Sequence, residues 1–352
     1  MNLLRRLEAR ILQDGPLTIA DYMTACLHDP QDGYYATRPR LGAEGDFITA
    51  PMVSQMFGEL IGLWCVEVWT RMGAPSPFAL VEMGPGDGTL MDDALRAARL
   101  VPAFAAAAEV WLVETSAPLR ALQAERLAGA GPRWAASLDD VPRGAPLIFV
   151  ANELLDCLPA RQFVRTHDGW AERRVGLDGQ GALAFGLAPA PAGLKLAPAA
   201  RGAVIEVSTA QVALGARIGE RISADGGAAL FIDYGRDRPE TGDTLQALRR
   251  HVKVPPLEAP GEADLTVHAD FPAFAAAARS AGVETTPIRT QAAFLQALGI
   301  EARAAALSQA RPERAQAIAR QLARLTAPGE MGALFKAVAI HSPGLAMPGF
   351  EA

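Results

Sequence analysis

The feature that most constrains this chain is the run Val81-Glu82-Met83-Gly84-Pro85-Gly86-Asp87-Gly88-Thr89-Leu90. An apolar stretch passes through three closely spaced glycines into a helix-forming segment. Glycine is needed where the backbone must take a positive φ or approach a ligand with no Cβ in the way. The plainer alternative is a tight strand-to-helix turn that binds nothing. Spacing narrows the choice. A dinucleotide fingerprint requires its third glycine where Thr89 stands, and here it falls one position early, at Gly88. No Gly-Lys-Ser/Thr follows, so a phosphate cradle is disfavoured.

The surroundings of that run predict an α/β fold. Ala79–Met83 reads as a buried strand, Val110–Val113 as a second followed by a helix to Leu127, and residues near 133–136 as a third. Pro146–Ala151 and Ala228–Ile232 give a fourth and a fifth. Strands alternating with helices form a parallel sheet covered on both faces, and such sheets bind ligands at the carboxyl ends of their strands where the strand order reverses.

A chain of 352 residues with half of them apolar has room for one large or two ordinary domains. The division expected is a helical extension over 1–75 packing on a core over 76–345. Insertions fall at about 161–187, which alternates like a hairpin around Asp168-Gly169 and Asp178-Gly179, and at 236–271, a Pro/Gly-rich stretch read as a large loop. Met1–Asp14 spaces its leucines like an amphipathic docking helix, and Thr18 with Asp21 resembles a helix start. Pro51–Met72 is predicted to form one long helix, with Phe57, Leu60, Trp64 and Trp69 in the core. Ala273–Ala281 and Ala302–Leu325 read as solvated helices, the second as structural rather than as a partner-binding surface, and the tail after Pro343 as frayed.

Composition excludes some functions. A formal charge of −6 leaves no basic footprint for nucleic acid, while an acidic surface tolerates a cationic protein segment. Cys26, Cys65 and Cys157 are widely spaced and suggest neither disulfides nor a zinc site, so a reducing, cytoplasmic setting is expected. Glu67 and Glu109 interrupt the two most apolar stretches, so no membrane span is expected. No Gly-x-Ser-x-Gly elbow marks a hydrolase.

Glu114 follows the second strand. A carboxylate there can accept hydrogen bonds from both hydroxyls of a ribose, although a strand-end Glu can also be merely solvated. Together with the glycines it specifies a nucleoside over the sheet edge, without deciding between adenosylmethionine and a nicotinamide cofactor.

The chain resembles the MidA-like methyltransferases, bacterial relatives of the mitochondrial arginine methyltransferase that assists assembly of respiratory complex I. The matching motifs run in family order over roughly residues 15–340. They include Asp21-Tyr22-Met23, Gly33-Tyr34-Tyr35, Gly45-Asp46-Phe47-Ile48-Thr49-Ala50-Pro51, Ser54-Gln55-Met56-Phe57-Gly58-Glu59 and Glu82-Met83-Gly84-Pro85-Gly86. Ala151-Asn152-Glu153-Leu154-Leu155-Asp156-Cys157-Leu158-Pro159, Asp233-Tyr234-Gly235 and Asp264-Leu265-Thr266-Val267-His268-Ala269-Asp270-Phe271 complete the set.

The resemblance implies a Rossmann-like, seven-stranded class I methyltransferase sheet. It places S-adenosyl-L-methionine against Gly84, Pro85, Gly86, Gly88 and Glu114, with Asn152 at the end of the fourth strand. It also implies a protein substrate, the 49-kDa-type subunit of complex I, dimethylated on both terminal nitrogens of an arginine. One departure is Asp87, where the mitochondrial relatives tend to carry a basic residue.

Chemistry is expected after the fourth strand. A guanidinium stays protonated, so an arginine-methylating site needs carboxylates to anchor it and to help receive its proton. Glu153 and Asp156, three residues apart, are the candidate catalytic pair. Alternatively they cap the following helix or pair with Arg161. Asn152-Glu153-Leu154-Leu155 departs from the Asn-Pro-Pro-aromatic clamp of amide and adenine methylases. Asp46, Thr49 and Glu59 are candidates for closing over the cofactor, with capping the plainer role for Asp46. His268, beside Asp270, reads more readily as structural than as a proton carrier. The competing functions are a nicotinamide-dependent oxidoreductase, which the early third glycine disfavours, and a non-catalytic assembly factor that retains a nucleoside pocket.

Overall fold

The apolar runs expected to be strands form one sheet in a computed structural model that describes residues 2–37 and 49–351. Its strands include β1 (Phe78–Met83), β2 (Ala108–Val113), β3 (Arg133–Ala135), β4 (Leu147–Asn152), β5 (Gly227–Arg236), β6 (Glu284–Thr285) and β7 (Phe335–His341), and the short strand Arg289–Thr290 also pairs with β7. Across the sheet they lie in the order β3-β2-β1-β4-β5-β7-β6. The first five pair in parallel, whereas β7 runs antiparallel to both β5 and β6. The order reverses between β1 and β4, which places the ligand crevice at the carboxyl ends of those two strands.

This sheet belongs to a unit comprising residues 48–154, 213–237 and 271–352. Both faces are covered, which explains why β4 and β5 read as continuous apolar runs rather than alternating ones. In the register, Glu82 stands between Leu112 on β2 and Val150 on β4, and Ile232 lies beside Asn152.

The single helix expected over Pro51–Met72 is two. Helix α1 (Ala50–Val53) ends at Ser54, whose extended backbone lets its own Oγ accept the amide of Met56 at 3.3 Å and start α2 (Gln55–Arg71). Phe57, Leu60, Trp64 and Trp69 do lie in the core. Helix α2 packs closely against α3 (Thr89–Ala98) because Gly62 has no side chain: a Cβ there would stand 2.3 Å from the carbonyl oxygen of Ala94. Helix α4 (Ala117–Arg126) follows β2.

Two predictions near the C-terminus are corrected. Helix α5 (Phe271–Arg279) is not solvated all round, since Phe271, Phe274, Ala275 and Ala278 are buried. The tail is not frayed: Met347 and Phe350 lie in the core, and Trp64 Nε1 donates to the carbonyl of Pro348 at 3.1 Å. The stretch 302–325 forms α6 (Ile300–Ala310) and α7 (Ala315–Thr326), which contribute Ile300, Ala304, Ile318 and Leu325 to the core.

The other unit comprises residues 1–47, 155–212 and 238–270. Its first helix, Leu3–Asp14, buries Leu3, Leu7 and Ile11 but leaves Leu12 exposed. The helix Ile19–His28 begins with a complete capping box between Thr18 and Asp21. The expected hairpin is present as Arg161–Thr166 and Gly169–Leu177, extended by Leu183–Pro189 and Val204–Val207 into an antiparallel sheet. Residues 236–271 are not a structureless loop. Gln246–Arg249, Val252–Val254 and Asp264–Thr266 pair as a small antiparallel sheet, and β5 continues past Asp233 to Arg236, with β7 paired to it as far as Tyr234.

Candidate functional site

The end of β1 is a turn that only glycine adopts without strain. Gly84, Gly86 and Gly88 have φ of +68°, +55° and +84°. The amide of Gly88 donates to Pro85 O at 2.8 Å, and α3 begins at the next residue. A Cβ on Gly84 would stand 3.1 Å from Leu154 Cδ1, so the cradle is one that side chains would fill. The acid at Asp87 is taken up by the fold. Its Oδ1 accepts the amide of Thr89 at 3.0 Å, its Oδ2 pairs with Arg126 Nη2 at 2.8 Å, and its carbonyl accepts Arg126 Nε at 3.0 Å.

Glu114 stands one residue beyond β2, its amide donating to Ala135 O at 3.0 Å. Its Oε1 accepts the amides of Thr115 and Ser116 at 2.8 and 2.7 Å, while Oε2 has a long contact of 3.4 Å with Gln123 Nε2. Burial lifts its pKa above the ordinary carboxylate value, and the two amides oppose that lift.

Gln123 was not anticipated. Fully buried on α4, it donates to the carbonyl of Gly86 at 2.7 Å and accepts Trp134 Nε1 at 2.8 Å, so one side chain ties the glycine turn to the ends of β2 and β3. The only trace of it in the sequence is a polar residue three positions after Arg120 on a face that otherwise buries Leu119.

Beneath the turn, on β1, Glu82 is 3% exposed and its Oε2 has no hydrogen-bond partner among the described residues. Burial, with the nearby charge of Asp87, pushes its carboxyl up to about 8 despite a hydrogen bond from the Met91 amide.

At the end of β4, Glu153 adopts φ +53°, uncommon for a residue with a side chain, and its amide donates to Ile232 O at 2.9 Å. Its Oε1 accepts the amide of Ala50 and Asn152 Nδ2, each at 2.9 Å. Thr49 occupies the N-cap of α1 without a side-chain cap bond, and Glu153 satisfies that helix end instead. Asn152 Oδ1 is buried with no hydrogen-bond partner among the described residues. Thr49, Asn152 and Glu153 are thus brought together. Asp46 lies outside the described residues.

No helix follows Glu153 directly, so the alternative that it caps a following helix does not hold; its carboxylate accepts the first amide of α1 instead, about a hundred residues earlier in sequence. Arg161 pairs with Glu172, at 2.6 Å.

Asp156 falls in the other unit and is buried. Its carbonyl accepts the amide of Val267 at 2.9 Å. Gln211 joins the same motifs by donating to Leu155 O and accepting the amide of Asp270, both at 2.8 Å. His268 donates its amide to Thr244 Oγ1 at 2.8 Å. In this unit Tyr35 also donates its hydroxyl to Asp264 Oδ1 at 2.9 Å, a pairing the sequence did not reveal. Burial and the charges of Asp264, Cys157 and Asp156 push the Tyr35 hydroxyl well above its ordinary pKa.

Five parallel strands closed by the antiparallel β7, with a bare turn after β1, make the sheet that of a class I methyltransferase. The chain belongs to the family of S-adenosyl-L-methionine-dependent methyltransferases, whose model matches residues 60–288.

Its relatives include the mitochondrial protein arginine methyltransferase NDUFAF7 of Danio rerio, 36% identical over 330 residues that cover 86% of this chain and 78% of the relative. The Homo sapiens protein of that name is 37% identical over 329 residues, covering 86% and 74%. A Burkholderia thailandensis protein crystallised with S-adenosyl-homocysteine is similar in structure, with a TM-score of 0.83 and 27% identity over 99% of this chain and 92% of that one. A native crystal structure from the same organism gives a TM-score of 0.85 at 29% identity, covering 99% and 94%.

The cofactor is S-adenosyl-L-methionine. The bare cradle at Gly84 and the unpartnered Oδ1 of Asn152 fit a ligand at the ends of β1 and β4. Among the described residues no helix is long and apolar enough to cross a membrane.

Proposed function

We infer that this chain methylates arginine in a protein, and that its substrate is the 49-kDa-type subunit of complex I. The observation that carries this reading is Glu153, a carboxylate held in a left-handed backbone conformation at the strand end where the sheet order reverses. The names of the relatives, protein arginine methyltransferase, point the same way.

When bound, S-adenosylmethionine supplies an electrophilic methyl group on a cationic sulfur. The backbone of Gly84, Pro85, Gly86 and Gly88 would hold the nucleoside, and Glu114 would accept its ribose hydroxyls. Asn152 and Thr49 hold the cofactor from the β4 side. Glu153 would anchor the substrate guanidinium, present one terminal nitrogen towards the cofactor and take up the proton which that nitrogen gives up. Asp156 is the second carboxylate of this proposal, on the sequence grounds given above, and Asp46 stays in it on the same grounds.

The test is peptide mass mapping of the 49-kDa-type subunit purified from a strain lacking this protein, before and after incubation with the protein and S-adenosylmethionine. Arginine dimethylated on both terminal nitrogens only after incubation is expected. Identical arginine methylation with and without the gene would overturn the reading and leave a non-catalytic assembly factor.

A further inference from the structure

We propose that helices α6 and α7, with α1 to α3, form a docking groove for an acidic segment of the substrate protein that also carries large apolar side chains. This rests on the protein-methylating reading above and adds to it where the substrate is gripped away from the reacting nitrogen.

Two depressions meet along α7. One, of about 620 Å³, is walled by Leu60, Leu63, Leu100, Leu307 and Ile318. The other, of about 320 Å³, lies between α7 and Met52-Val53 of α1, and the two share Ala317 and Gln321. Leu63 and Leu100 are 41% and 79% exposed, so apolar surface is left for a partner to cover. The α1 end of this groove belongs to the short helix whose first amide Glu153 accepts.

The charges are one-sided. The acid in the lining, Glu59, is buried and already accepts from Arg303, Arg96 and Gln55, at 2.8, 3.3 and 3.1 Å. Burial pulls the Glu59 carboxyl up, and Arg303 and Arg96 more than offset this. Arg96 also meets Asp92 and Asp93. By contrast Arg311, Arg314, Arg320 and Arg324 have no carboxylate within ion-pair distance among the described residues.

Residues 302–326 hold five arginines and one acid, Glu313, in a chain whose net charge is −6. A solvated helix face, as the sequence suggests, would carry mixed charge on a convex surface. Here the arginines edge a concave, apolar one. Helix α7 has 12 residues and so spans about 18 Å, too far for one small anion to engage cations along its length. A peptide segment with carboxylates spaced along it matches them, and arginine suits bidentate carboxylate recognition.

The experiment titrates the full chain with a fluorescein-labelled peptide of Leu-Glu-Glu-Leu repeats, with Leu-Lys-Lys-Leu repeats as the control. Binding of the acidic peptide alone is expected. Arg311→Glu with Arg314→Glu should weaken it about tenfold, equivalent to about 1.4 kcal/mol. Arg320→Glu with Arg324→Glu should do the same. In methyl transfer, KM for the protein substrate should rise by a similar factor with kcat and S-adenosyl-homocysteine affinity unchanged.

Equal affinity of variant and parent, equal binding of the lysine peptide, or capture of phosphatidylserine vesicles without capture of the acidic peptide would each overturn the groove. Absence of methyl transfer to any protein would overturn the underlying reading instead, because the peptide titration is scored without it.

Discussion

The ends of β1 and β4 are neighbours in the sheet, yet they are assembled in opposite ways. At β1 the turn, Glu114, Gln123 and Arg126 all come from residues 84–126 and hold one another through hydrogen bonds closed over short stretches of chain. At β4 the decisive contact joins Glu153 to Ala50, 103 positions away. Closing a longer loop costs more conformational entropy, so the first end is pre-organised by its own sequence while the second depends on the segment before α2 being in place. The proposed cofactor end at β1 should therefore tolerate damage to the proposed acceptor end at β4.

Glu153→Ala should have the largest effect. It removes the proposed anchor and the cap of α1, so methyl transfer should fall about 10²–10³-fold while calorimetry with S-adenosyl-homocysteine changes less than about twofold. An equal loss of both would erase the distinction between the two ends.

Next comes Gly86→Val. A β-branched residue at this positive φ is strained by about 1–3 kcal/mol and places a Cβ where the backbone is proposed to meet the ligand. Affinity for S-adenosyl-homocysteine should drop about a hundredfold, and retained affinity would move the cofactor away from the turn.

Glu114→Gln exchanges charged for neutral hydrogen bonding and should weaken cofactor binding about tenfold with the fold unchanged. Gln123→Leu leaves Gly86 O and Trp134 Nε1 without partners. It should cost about 1–3 kcal/mol in urea unfolding, with only a few-fold loss in affinity. An unchanged unfolding midpoint would show that the turn does not need α4.

The smallest effect on either end is expected from Glu82→Gln, which reads out pH. The folded protein holds the Glu82 proton up to about 8, against an ordinary value of 4.5, so it binds more protons than the unfolded chain between those values. Stability contributed by this group is complete below the lower value and is lost as pH rises through the upper one, at up to about 1.4 kcal/mol per pH unit. The variant should show a flatter dependence across that window in urea titrations. A slope identical to the parent's would place the proton elsewhere.

Most of the sheet could be read from the chain. Strands β1, β4 and β5 are short apolar runs of the kind that burial on both faces demands, and three glycines followed by a helix former leave few other conformations for 84–89. Glu114 could be found because it follows β2 directly. Gln123 could not: a lone glutamine inside a helix carries no motif, and its role exists only once β3 brings Trp134 to it. The break at Ser54 was hidden because Pro51–Met72 is apolar at helical period on both sides of it. The buried tail and α5 were misread because small and apolar residues look the same in a solvated helix as in one that packs closely.

By itself, then, the sequence determined the order along the chain of the five parallel strands, the bare turn after β1 and the carboxylate after β2, because each depends on side-chain period or on backbone freedom within a few residues. Tertiary structure decided that Glu114 Oε1 takes up the Thr115 and Ser116 amides, that Asp87 pairs with Arg126, and that Glu153 holds α1. Those outcomes depend on which distant donors fold back to satisfy a buried acceptor, and a donor in position 50 carries no mark of the acceptor in position 153.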